Sequence, residues 1–229
     1  PDERAIRSAV RMMAAAKRPL LYTGGGIINS GPEASKLLRE FVAMTGFPVT
    51  STLMGLGAYP ASGKHWLGPI GMHGTYEANL ACNRCDVLIA LGSRFDDRVT
   101  GRLDAFSPGS KKIHLDIDPS QINKNVRVDL PIIADATKAL RAMIDAWKEE
   151  KLSPDPGLSL WWAQIDEWRK MDSLAYKNST KLIKPQFAID RLYAATKGKK
   201  VFVTTEVGQH QMWAMQRFKF EEPNHWMTS

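Results

Sequence analysis

Glycines and charged groups recur in this chain at the points where apolar runs stop. Gly24-Gly25-Gly26 follows the run Pro19-Leu20-Leu21-Tyr22. Glycines at the end of a strand let the backbone turn sharply and approach a diphosphate closely. A full dinucleotide fingerprint would place a third glycine where this chain has Asn29, so a plain tight turn competes with the ligand reading. Gly92-Ser93-Arg94-Phe95-Asp96-Asp97-Arg98 follows the run that ends at Leu91. There Arg94 can pair with phosphate, and Asp96 can accept from a hydroxyl or a ring nitrogen. The competing reading is a solvated ion pair on a surface loop. Asp116 and Asp118 close the run Lys112–Ile117. A carboxylate at such a point accepts hydrogen bonds from ribose hydroxyls, but Asp118-Pro119 is also a good turn initiator. In Gly71-Met72-His73-Gly74, His73 either meets a ligand or caps a helix, and Met72 can pad a flat ring.

The usual hydrolytic patterns are missing: there is no HExxH, no GxSxG and no Ser-His-Asp order with plausible spacing. No carboxylate pair stands out as an acid/base couple. Cys82 and Cys85 form a lone CxxC. A zinc site needs a second pair or histidines at ligand spacing, so two buried thiols at a helix end are the expectation. Two cysteines fit a reducing compartment, and a cytoplasmic location is expected on that ground.

The elements that must position these loops can be read from periodicity. Ile6, Ala9, Val10 and Met13 mark an amphipathic helix. Pro19–Tyr22 reads as a buried strand. Ser30 and Glu33 have capping-box spacing before the helical stripe Ala34, Leu37, Leu38, Phe41 and Val42, and Gly46 sits where that helix should end. Phe47–Thr50 is the next strand. A glycine-rich stretch from Gly55 to Gly74 reads as a long functional loop, with a helix from about Thr75 to Asn83. Asp86–Leu91, apolar almost throughout, suits a strand covered on both faces. Lys112–Ile117 and Pro131–Ala134 are further strands, and Ala136 to Trp147 is a closing helix. Strands alternating with helices imply a parallel, Rossmann-like α/β sheet with helices on both faces.

Lys148 to Gly157, charged and then proline-bearing, reads as a linker. Trp161, Ile165 and Trp168 place a helix after it that should pack on something. A second α/β unit starts near Lys184, with a helix from Pro185, a strand over Lys200–Thr204 and another helix from Gly208 to Gln216. With one strand and no sheet to join, that unit is expected to be truncated. The domains expected are therefore residues 1–150, a linker and helix over 151–183, and a partial unit over 184–229.

Composition limits the function classes. The chain has 229 residues, 44% of them hydrophobic and 24% charged, as in globular proteins. No apolar run approaches a membrane span, and there is no signal-peptide pattern. The formal charge of +7 comes from basic residues scattered among 24 acidic ones. Nucleic-acid binding would cluster them with interleaved aromatics, so a solvated basic surface is expected, one that also favours diphosphate ligands. The opening at Pro1 and the end at Ser229 suggest a piece of a longer polypeptide.

Six segments taken together carry a resemblance: GGGIINSG, TSTLMGLGAYP, IGMHGTYEANLA, DVLIALGSRFDDRVTG, IHLDIDPSQINKN and TTEVGQHQMWAMQ. They resemble the catalytic large subunit of acetohydroxyacid synthase (acetolactate synthase) from about Arg18 to Ser229. GSRFDDRVTG and EVGQHQMWA are the most specific. That family uses thiamine diphosphate, magnesium and FAD on three α/β domains. The resemblance implies the central, FAD-binding domain followed by the start of the thiamine-diphosphate domain.

By resemblance, FAD lies along Gly24, Gly25 and Gly26, Thr52 and Leu53, Ile70 to His73, Gly92 to Asp96, Asp116 and Ile117, and Asp135 and Ala136. Gln209 and His210 match positions near the thiamine diphosphate tail. Met72, His73, Asp97 and Arg98 match the lining of the substrate channel. The family's activating glutamate and magnesium motif are expected outside these residues. The whole protein would then decarboxylate pyruvate and join the product to a second 2-ketoacid, pyruvate or 2-ketobutyrate, as a homo-oligomer with a possible regulatory small subunit. Isolated, this chain would hold FAD without turning over, and FAD would be structural. Two alternatives stay open: another thiamine diphosphate enzyme of similar build, such as a glyoxylate carboligase or pyruvate oxidase, and a non-catalytic NAD- or ADP-binding module.

Overall fold

A computed structural model describes residues 1–228 of the chain. Asp2 opens helix α1 (Glu3–Ala14), its carboxylate accepting from the Arg4 and Ala5 amides. Strand β1 (Pro19–Thr23) is followed at once by a short helix α2 (Gly25–Asn29) and then by α3 (Pro32–Thr45). Next come β2 (Val49–Ser51), β3 (Trp66–Pro69), α4 (Tyr76–Arg84), β4 (Val87–Leu91) and the single turn α5 (Asp97–Thr100). Strands β5 (Lys111–Asp116) and β6 (Leu130–Ile133) lead to α6 (Ala136–Glu149) and α7 (Leu158–Arg169). The last elements are α8 (Pro185–Thr196), β7 (Val203–Thr205), α9 (Gln209–Arg217) and β8 (Trp226–Thr228).

Strands β1 to β6 form one sheet in the order β3-β2-β1-β4-β5-β6, parallel throughout. This is the order of doubly wound dinucleotide folds, with its switch point between β1 and β4. The central strands are apolar on both faces because both faces are covered. Leu21 of β1 and Val87, Ile89 and Leu91 of β4 join the core under α1, α3 and α6. Leu20, Tyr22, Leu88 and Ala90 point the other way, into a second core with residues of α4 and α7. Alternation along each strand thus feeds two cores rather than one core and solvent.

The expected helix α7 packs as its tryptophans suggested. Trp161 donates from Nε1 to the Pro19 carbonyl (3.0 Å), Trp162 donates to the Gly46 carbonyl (2.9 Å), and Trp161 meets Trp168 edge to face. Gly46 caps α3 in the left-handed conformation (φ 69°). Cys82 and Cys85 are buried free thiols at the end of α4, raised above the ordinary thiol range chiefly by burial.

Three expectations need correction. The Ser30/Glu33 capping box does not form. Pro32 takes the first helical position behind Gly31 (φ 94°), so Ser30 ends α2 instead of opening α3. The Gly55–Gly74 stretch is not all loop, because Trp66–Pro69 pairs with β2 as the sheet's edge strand. The second unit has a second strand: β8 pairs with β7 in parallel, Val203 opposite Trp226. A third apolar cluster, with Leu56, Ala214, Met215, Phe218, Phe220 and Trp226, seats this pair on the larger sheet. Arg39 reinforces it by donating to the Glu221 carbonyl (2.7 Å).

Ile89 is fully buried at the centre of the sheet. Ile89→Ala is expected to cost about 3 kcal/mol through lost transfer energy and the cavity left behind. Urea denaturation checks this, and an unchanged midpoint would contradict the packing described.

Candidate functional site

Each segment singled out for FAD lies at the carboxyl end of a strand of the six-stranded sheet. Gly24–Gly26 follow β1, Thr52 and Leu53 follow β2, and Ile70–His73 follow β3. Gly92–Asp96 follow β4, Asp116 and Ile117 end β5, and Asp135 and Ala136 follow β6. All six therefore share one edge, about 24 Å across for strands some 4.8 Å apart.

At the switch point the backbones of β1 and β4 touch. The Gly24 amide donates to Leu91 O (2.9 Å) and the Gly26 amide to Gly92 O (3.0 Å). A Cβ on Gly24 would lie 2.2 Å from Gly92 O, and one on Gly26 or Gly92 would lie 2.6 Å from the Cα of the other. Gly55 is equally crowded: a Cβ there would lie 2.5 Å from the Ser51 hydroxyl and 2.9 Å from Thr23 O. Thr52 opens the turn that carries Leu53 and Met54, its hydroxyl accepting from the Gly55 amide. Gly24, Gly26, Gly55 and Gly92 thus serve close packing between loops.

The remaining loops are tied to one another. Asn79 clamps the β3 loop, accepting from the Gly71 amide (3.1 Å) and donating to Gly71 O (3.0 Å). The Met72 amide donates to Arg98 O (2.9 Å), and Gln216 on α9 donates to His73 O (2.8 Å). Met72, His73, Asp97 and Arg98 are thereby brought together. His73 is not the helix cap; Thr75 caps α4. Gln209 and His210 lie at the opposite end of α9 from Gln216, about 10 Å along its axis, and are exposed.

The charged groups divide by role. Arg94 and Asp96 pair at 3.1 Å with side chains 68% and 49% exposed, the geometry of a solvated pair that a ligand can rearrange. The two aspartates after β5 share the work: Asp118 accepts from the Ser120 amide and hydroxyl within the turn, while Asp116 accepts from the Asp118 amide (2.9 Å). Asp135 caps α6 through Lys138 N and accepts from the Ser30 hydroxyl at 2.6 Å. That hydrogen bond, more than any other cause, holds the Asp135 carboxyl below the usual range.

Large apolar side chains stand exposed along the same edge: Met54, Met72, Ile117 and Ile133. Charge-bearing loops interleaved with uncovered apolar groups suit a ligand with phosphates and flat rings. Two clefts lie beside this edge, one between β3 and the end of α9 (about 230 Å³) and one at the turn after α8 (about 490 Å³). Motif reading did not find Asn79, Met54 or Ile133, and it gave Ser30 the wrong partner, because the bond from Ser30 to Asp135 joins residues far apart in sequence. Among the described residues no group of His, Cys, Asp and Glu could hold a metal ion, and no helix is long and apolar enough to cross a membrane.

Fold and strand order together define an α/β domain of the doubly wound type. Residues 6–143 match the family described as "Thiamine pyrophosphate enzyme, central domain", and the chain belongs to that family. It is 42% identical, over 98% of its length, to the acetolactate synthase large subunit of Haemophilus influenzae, covering 39% of that protein. It matches the acetolactate synthase isozyme 3 large subunit of Escherichia coli (strain K12) to the same degree and over the same shares. It is 44% identical, over its full length, to the acetolactate synthase of Mycobacterium bovis, covering 37% of it. The chain thus spans less than two fifths of the relatives it matches.

Gly92 and Gly46 both have positive φ (61° and 69°), but only Gly92 is crowded; a Cβ on Gly46 would make an ordinary contact with Leu158. Gly46→Ala is expected to cost about 1 kcal/mol, the left-handed penalty alone. Gly92→Ala should cost clearly more, because two backbones must separate. Equal losses in paired urea melts would refute the close approach of β1 and β4.

Proposed function

We propose that this chain is part of a thiamine diphosphate-dependent acetolactate synthase, and that its own task is to hold FAD along the carboxyl edge of the six-stranded sheet. The parent enzyme would decarboxylate pyruvate and join the two-carbon product to a second 2-ketoacid, pyruvate or 2-ketobutyrate, in branched-chain amino-acid biosynthesis. The observation that carries the FAD assignment is the convergence of six loops on one edge with exposed Met54, Met72, Ile117 and Ile133 between them.

In this reading residues 1–150 are the FAD domain, 151–183 a linker and helix, and 184–229 the start of a thiamine diphosphate domain. The backbone at Gly24, Gly25, Gly26, Gly92 and Ser93 approaches the diphosphate, and Arg94 leaves Asp96 to pair with it. Asp116 accepts from a ribose hydroxyl, with Asp135 and Ala136 beyond it. Thr52, Leu53, Ile70, Gly71, Met72 and His73 face the flavin side, Ile117 flanks the ligand, and Phe95 takes part through its backbone, its ring being buried beneath the loop. Gln209 and His210 lie toward the thiamine diphosphate tail, and Asp97 and Arg98 toward incoming 2-ketoacid. Thiamine diphosphate, with Mg2+, supplies the electron sink when bound. What this chain contributes is position. FAD is structural here, and residues 1–229 alone are expected not to turn over pyruvate. The parent is proposed to act in the cytoplasm as a homo-oligomer with a regulatory small subunit.

Titrating the chain with FAD is expected to change flavin fluorescence and raise the melting temperature, by about 2.7 kcal/mol of stabilisation at a hundredfold excess over Kd. Stabilisation by NAD or ADP but not by FAD would overturn the assignment in favour of a plain nucleotide module. Arg94→Ala removes a charge-assisted contact and should weaken FAD binding about tenfold or more without altering the fold. Equilibrium dialysis measures it, and unchanged affinity removes Arg94 from the phosphate contacts.

A further inference from the structure

Beneath the β4 loop lies a titratable group that is out of a ligand's reach. His114, in the middle of β5, is 0% exposed, and its Nε2 sits 2.9 Å from the Ser93 carbonyl oxygen. A carbonyl can only accept, so Nε2 carries the proton and Nδ1 is left with a lone pair. That Nδ1 is buried without a hydrogen-bond partner. The nearest carboxylate oxygen, on Asp116, is 3.8 Å from Nε2, too far for a hydrogen bond. Burial pushes the imidazole below its ordinary range, against smaller opposing effects of Ser93 O and Asp116, and so favours the neutral ring.

The loop above is held in a conformation it would not choose. Phe95 has φ 52°, uncommon for a bulky side chain. Its ring is 2% exposed and packs against Tyr22 (5.8 Å), Phe106 (5.9 Å) and the edge of His114 (4.9 Å). Asn125 adds a hydrogen bond to the Phe95 carbonyl (3.0 Å). With the ring of Phe95 pinned downward, its neighbours Arg94 and Asp96 are left exposed at the sheet edge.

We propose that His114 is a positioning residue: by donating from Nε2 to the Ser93 carbonyl and bracing Phe95, it holds the Gly92–Asp96 loop ready for its ligand before the ligand arrives. The inference rests on the cofactor reading of this edge. A loop already ordered loses less freedom on binding, so its contribution shows in affinity although His114 touches no ligand.

Amide hydrogen exchange and FAD titration on the 229-residue chain test this together. His114→Leu removes the donor and strands a buried carbonyl. Exchange at Val99 and Thr100, whose amides donate to the Asp96 carbonyl, should quicken about tenfold, and FAD affinity should fall about tenfold. His114→Gln keeps an N–H donor able to reach Ser93 O, and should stay within about threefold of the parent chain on both measures. Ile113→Val weakens packing in the opposite core and should lower the urea midpoint while leaving both unchanged. Parent-like exchange in His114→Leu, or a Gln variant as impaired as the Leu variant, overturns the proposal. If the parent chain does not bind FAD, the cofactor reading fails while the exchange rates still decide the role of His114. If His114→Leu does not fold, long-range 1H–15N NMR of the parent decides it. A protected Nε2–H supports the proposal, and an Nδ1–H tautomer overturns it.

Discussion

The contact between the ends of β1 and β4 is the constraint on which the rest of this structure depends. Gly24 and Gly26 meet Gly92 with no room for a Cβ on any of the three. The approach is needed because both loops leave the sheet at its switch point, where flanking crossovers go to opposite faces and a crevice opens. Two ordinary side chains there would push the strands apart and break the amide bonds from Gly24 to Leu91 and from Gly26 to Gly92. The pairing of β1 with β4 runs in register through five residue pairs, so a displacement at its end would reach both cores.

From that contact outward the edge stiffens by polar ties rather than by burial. Asn79 clamps the β3 loop, Met72 zips it to Arg98, and Gln216 attaches α9 to it. On the far side Ser30 joins the end of α2 to Asp135 and Thr137 at the start of α6. These ties leave charged and apolar side chains free at the surface while fixing the backbone beneath them. That combination separates the tied backbone of the edge from the side chains that stand free on it.

Much of this was legible in the sequence. The central strands could be read because both of their faces are buried and their apolar runs are continuous. The edge strands were harder. Trp66-Leu67-Gly68-Pro69 carries a glycine and a proline, which argue against a strand except at a sheet edge, and β3 is an edge strand. Pro131 was legible in β6, the opposite edge, because Ile132 and Ile133 follow it. Strand β8 escaped because its partner lies some twenty residues back and its own run is three residues long. The Ser30/Glu33 spacing misled for a local reason: Gly31-Pro32 starts a helix without a side-chain cap, which released Ser30 for Asp135. The edge loops were found as separate motifs, and only the sheet order made them neighbours.

His114 marks the limit of such reading. A lone histidine in a buried strand is, on its residues alone, a satisfied core group. What distinguishes it is that its one hydrogen bond leads to the carbonyl of a loop whose next-but-one residue, Phe95, is bent into positive φ by its own burial. Strain in a loop persists only where its surroundings over-determine the conformation. Here an imidazole, two aromatic rings and an asparagine do so from below and beside. The cost of keeping Phe95 at positive φ, about 1 to 3 kcal/mol for a strained residue, is met by aromatic packing in the second core. The same core that covers one face of the sheet therefore also sets the geometry of the loop at its carboxyl edge.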